Sequence, residues 1–105
     1  MMGNVIVDLN EDSFTVTQKE IAQKCDDIKA LLLEKNKKYG DSALDPVRIF
    51  SRAPVDEGIR VRLDDKLSRL LRGVDERDDE DVLVDLVGYI VLLSIAQERI
   101  AAELK

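Results

Sequence analysis

Three acids open the most apolar stretch of the chain: Glu80, Asp81 and Asp85, in the run EDVLVDLVGYIVLLSIA from Glu80 to Ala96. From Val82 onward every residue of that run is apolar or small except Asp85. Asp81 and Asp85 stand four apart, so on a helix both carboxylates face the same way. With Glu80 they offer the hard oxygen donors that a magnesium ion takes. The same Asp85 equally suits an ion pair with Lys66 and Arg69 across a helix interface, because a charge among apolar neighbours is costly unless paired. Spacing alone leaves both readings open.

A second group is basic: Lys35, Lys37, Lys38, Arg48, Arg52, Arg60, Arg62, Lys66 and Arg69. Residues 35–72 hold ten of the sixteen lysines and arginines against six acids, while the whole chain carries a net charge of −6. Such groups can converge on a phosphate-bearing ligand, with guanidinium forks making paired hydrogen bonds. Tyr39 offers a ring on which a base can stack. Solvated helix faces of mixed charge are the plainer alternative. So acidic a chain suits long duplex nucleic acid poorly.

Composition narrows the chemistry further. There is no histidine, which removes the commonest zinc ligand and every Ser-His or Cys-His nucleophile. No glycine-rich phosphate loop and no CxxC pair is present. The one cysteine, Cys25, cannot close an internal disulfide, which suits a reducing cytoplasm. The start, MMGNVIVDLNEDSF, lacks the basic region and apolar length of a signal peptide. The apolar run near the C-terminus is short for a membrane span and carries an acid.

These side chains need elements to position them. Asn4 to Leu9 reads as a short strand or an extended arm. Thr17 with Glu20 forms a capping box that opens a first helix, whose apolar row is Ile21, Cys25, Ile28, Leu31 and Leu32. Cys25 is therefore expected in the core. Gly40 ends this helix, and Lys35, Lys37 and Lys38 in its last turns complement the negative end of the dipole. Asp45-Pro46 starts a short helix carrying Arg48 and Arg52, closed by Pro54. Asp56 caps the next long helix, with the row Ile59, Leu63, Leu67, Leu70 and Leu71, and Gly73 ends it. The acidic loop DERDDED then leads to the last helix, which runs to about Leu104.

The order EKNKKYGDSAL, IRVRLDDKLSRL, an acidic loop and DVLVDLVGYIVLL resembles the nucleotide-modification-associated all-helical domain of phages and bacteria. That domain is in turn distantly similar to MazG-type nucleoside triphosphate pyrophosphatases. The likeness spans about residues 17–96. It places Lys35, Asn36, Tyr39, Gly40, Lys66, Arg69, Asp85 and Tyr89 on characteristic positions, and implies an oligomeric helical fold tied to nucleotide metabolism. The chain departs from the MazG pattern where the metal would sit. Lys66 and Arg69 stand in RLDDKLSR where further acids are wanted, and Val82, not Glu, stands three before Asp85. A broken carboxylate set among bases suits phosphates better than magnesium.

The expected architecture is all-α: one domain over residues 1–105, with an extended arm at 1–13 and a compact antiparallel bundle of three long helices and one short helix over 14–105. An all-round apolar last helix and a small core both point to a homo-oligomer. The expected function is cytoplasmic binding of a small nucleotide without cleavage and without a cofactor. Its ligand set is Lys35, Asn36, Lys38, Tyr39, Arg62, Lys66, Arg69 and Asp85. The alternatives are a magnesium-dependent pyrophosphatase using Glu80, Asp81, Asp85 and Asp64 or Asp65, and a structural oligomeric module with no small ligand.

Overall fold

The structure, a computed structural model, describes residues 10–73 and 82–104. After a single 3-10 turn at Glu11–Ser13 come α1 (Val16–Tyr39), α2 (Val55–Arg72) and α3 (Val82–Glu103). Among the described residues there is no strand. The arm expected at 4–9 lies outside them, as does the whole acidic loop. No described helix is long and apolar enough to cross a membrane.

α1 begins two residues earlier than the Thr17/Glu20 box predicts. Thr15 is the N-cap: its hydroxyl accepts from the Gln18 amide at 3.1 Å, and the Gln18 side chain accepts from the Thr15 amide at 2.9 Å. The reciprocal pair satisfies two of the free amide donors at the helix start, and glutamine serves as well as glutamate. At the far end Gly40 takes φ 71°, a conformation open to glycine, and the chain leaves the helix there.

The expected short helix after Pro46 does not form; residues 46–54 are irregular. A helix there has only about seven residues before Pro54 turns its predecessor away from helical backbone, far below the length at which a helix holds alone. It would need burial to persist and finds none, for Val47, Ile49 and Phe50 are all exposed, Phe50 by 97%. Instead the Ser51 hydroxyl accepts from the Ala53 amide at 3.1 Å, and the Arg48 guanidinium donates to the Ala53 carbonyl.

α2 starts two residues earlier than an Asp56 cap predicts. Pro54 occupies the N-cap with no side-chain hydrogen bond, and Asp56 and Glu57 sit in the first turn, where they favour the positive end of the dipole. Asp56 binds Arg60 one turn on, at 2.7 Å. That bond holds the Asp56 carboxyl below its ordinary range. Gly73 ends the helix in the left-handed conformation, φ 65°, its amide turned back to the Arg69 and Leu70 carbonyls.

Both other helices meet α3 antiparallel. On the α2 side Lys66 reaches Asp85 and Arg62 reaches Tyr89, so rising numbers on one helix meet falling numbers on the other. On the α1 side Lys35 reaches Asp85, while Leu32 lies against Gly88, where a Cβ would stand 2.8 Å from the leucine Cδ2. Only hydrogen at Gly88 lets α1 come so close. The buried core is small: Ile59, Val82, Gly88 and Ala96. Ile59, at 1% exposure, is its centre.

α1 contributes no buried residue. Ile28, Leu31 and Leu32 are half-buried, whereas Ile21 and Cys25 on the same row are exposed. Cys25 is thus not a core residue. The row is correctly periodic, but among the described residues nothing covers its N-terminal half.

Candidate functional site

Asp85 is the point at which the three helices meet. Its Oδ1 accepts from Lys35 Nζ at 3.1 Å and its Oδ2 lies 3.2 Å from Lys66 Nζ. Both carboxylate oxygens are therefore engaged by ammonium groups, one from α1 and one from α2. Burial pulls the Asp85 carboxyl up, but the hydrogen bonds from Lys35 and Lys66 outweigh it and leave it below the ordinary carboxylate value. Among the described residues, two cations on this one anion leave a positive charge unneutralised. Lys66 and Asp85 are mostly covered, at 20% and 25% exposure, while Lys35 stands at 47%.

One turn away on the same seam the Arg62 guanidinium lies 6.0 Å from the centre of the Tyr89 ring, at the outer limit of a cation–π contact. The Arg62/Tyr89 and Lys66/Asp85 pairs share one register, four residues apart on each helix. Arg62 also borders a groove of about 220 Å³, lined in part by Pro46, Val47, Arg48, Val55 and Ile59. The groove is smaller than the ~300–1,000 Å³ usual for a ligand pocket.

Not every predicted ligand joins this junction. Arg69, expected opposite Asp85, instead pairs with Asp65 on its own helix at 3.5 Å. The i, i+4 pairing is local and needs no second helix to place it. Asn36 donates to Asp41 at 3.3 Å, tying the end of α1 to the following turn. Lys38 lies 5.3 Å from the ring of its neighbour Tyr39, which is 64% exposed. Tyr39 follows Lys35 by one turn and so projects from the same side of α1. Lys35, Lys66 and Asp85 come together, with Arg62 one turn along the α2–α3 seam and Tyr39 one turn along α1.

Spacing pointed to Lys66 as a partner of Asp85. The matching role of Lys35 was not readable as a pairing, because a residue fifty positions away is joined only by the way α1 crosses α3. For the metal alternative, Glu80 and Asp81 lie outside the described residues. Asp64 and Asp65 are exposed on α2, and among the described residues no three acids or cysteines gather closely enough to hold a metal ion. In comparisons with known proteins, no family model, curated protein or solved structure matches the chain.

Proposed function

We propose that this protein binds a small nucleotide through its phosphates, at the junction of Lys35, Lys66 and Arg62, without cleaving it. The observation that carries the reading is the Lys35–Asp85–Lys66 arrangement. One carboxylate orients two ammonium groups from different helices and leaves excess positive charge at an accessible edge. Phosphate oxygens are strong acceptors for such groups, and Arg62 beside Lys66 adds a fork that can take two oxygens at once. Tyr39 or the apolar groove lining beside Arg62 would meet the base. Both ammonium groups compete with a metal for Asp85, which is why binding is preferred to magnesium-dependent pyrophosphate cleavage. The motif order shared with the phage and bacterial nucleotide-modification-associated domain suggests the setting: sequestering a nucleotide, a defence signal among the options, or handling a modified one.

A second reading has its own observation. Because Asp85 closes both lysines, the trio also works as a staple that orients three helices around a small core. A single experiment separates the two. Linear, cyclic and modified nucleotides are tested by thermal shift with and without magnesium, and each sample is analysed by chromatography. A bound nucleotide at a hundredfold excess over its dissociation constant raises stability by about 2.7 kcal/mol. The binding reading expects such a shift without magnesium, the nucleotide recovered intact, and loss of the shift in Lys35→Ala and Arg62→Ala. A flat response throughout leaves the staple; magnesium-dependent products make the protein an enzyme.

A further inference from the structure

The groove beside Arg62 forms where the irregular segment ahead of α2 lies against the first two turns of that helix. Val47, Val55 and Ile59 give it an apolar lining, and Ile59 is only 1% exposed. Three polar side chains share the lining: Arg48, Ser51 and Arg62. Among the described residues, no acid lines it.

The shape of the segment is set by its own bonds. The Arg48 guanidinium donates to the Ala53 carbonyl, and the Ala53 amide donates to the Ser51 hydroxyl at 3.1 Å. Each polar group keeps donors in reserve. The remaining Arg48 donors, the Ser51 O–H and the Arg62 guanidinium make no hydrogen bond to protein among the described residues. A concave apolar surface with a few polar groups converging on it is the usual form of a small-molecule site, and a lining fixed in advance lowers the cost of binding.

Size and charge decide what fits. An apolar cavity of ~150 Å³ takes a benzene molecule, so about 220 Å³ holds one ring with a small substituent. Two arginines with no acid beside them favour an anionic substituent, and a guanidinium fork matches the two oxygens of a carboxylate. We infer that this groove binds a small organic acid, a single ring or branched chain bearing one carboxylate. The apolar body lies against Val47, Val55 and Ile59, and the carboxylate meets Arg48, Ser51 and Arg62. Neither Lys35 nor Lys66 lines the groove, so the site stands whatever those lysines hold.

The test is an amide NMR titration of the full chain with benzoate, a ring with one carboxylate. Benzamide supplies the same ring without the charge, and inorganic phosphate supplies charge without the ring. Benzoate should shift the Ala53, Val55, Gly58 and Ile59 amides saturably at millimolar concentration, as befits so small a ligand. Both other probes should bind at least tenfold more weakly. Arg48→Gln should weaken benzoate tenfold and leave the benzamide response as it was. Because Arg48 also holds Ala53, a second variant leaves that bond alone. An added Cβ at Gly58 meets nothing within 4 Å, so Gly58→Leu extends into the groove and should abolish benzoate binding with an unchanged helical circular dichroism spectrum. Lys35→Ala should bind benzoate like wild type. The absence of any saturable shift at these amides overturns the proposal. So does benzamide or phosphate binding as well as benzoate, or benzoate binding that survives Gly58→Leu.

Discussion

On one side of α3, Asp85 is held between Lys35 and Lys66 and Tyr89 lies near Arg62; on another, Leu83, Val87 and Ile90 face outward with no charge among them. The first side is built from directional bonds between partly exposed groups, each contributing little to stability but fixing which atoms meet. The second is undirected area, which contributes only when something removes it from water. One helix thus carries a side ordered by polar contacts next to a side of bare apolar area. Their energetic weights should differ in size.

The largest effect is expected where apolar area is already buried. Ile59→Ala should cost about 2–5 kcal/mol in urea unfolding at unchanged slope, because it empties the centre of a small core. Ile90→Ala removes the same side chain from the bare stripe. Its cost should be close to zero, because that side chain is already 55% exposed. A loss at Ile90 as large as that at Ile59 would erase the distinction between the two sides.

Next in size is the contact that brings α1 to α3. Gly88→Val places its Cβ where Leu32 already stands, and overpacking of this kind costs about 1–3 kcal/mol. It should also pull Lys35 away from Asp85, since Leu32 and Lys35 lie one turn apart on α1. Gly58, inside α2 with open space at its Cβ position, provides the control. Gly58→Ala should stabilise by about 0.5–1 kcal/mol through helix propensity alone. Thermal or urea midpoints for the pair report whether glycine is needed for approach at one position and merely tolerated at the other.

The long helices were legible because their rows repeat at helical spacing and Gly40 and Gly73 end them. The all-helical architecture follows from that. What misled was the assumption that a periodic apolar row implies cover. Cys25 and Ile21 lie on a correct row and stay exposed, and Val47 and Phe50 match a helical pattern that never becomes helix. Both depend on whether another element arrives, which is tertiary information. At the site the same limit applies. Lys66 was readable as a partner of Asp85, but Arg69 found a nearer acid in Asp65, and only the crossing of α1 identifies Lys35.

The smallest effect is the most specific to the polar side. Asp85 has a carboxyl held below its ordinary value of 3.8 by two lysines. A group depressed in the folded state contributes stability that is fully present above its unfolded value and is lost as pH falls through its folded value. Wild type should therefore lose an increment below about pH 4 that Asp85→Asn never had. The two stability curves should converge there and run parallel above about pH 5. Because the trio is partly exposed, each pair is worth only ~0.2–1 kcal/mol, and a Lys35/Asp85 double-mutant cycle should return a coupling in that range. The cycle should also weaken with added salt, since exposed charges are screened, whereas the Ile59→Ala effect should not. A coupling of zero would mean that the lysines are only neighbours of Asp85, leaving the unneutralised charge with nothing to orient it.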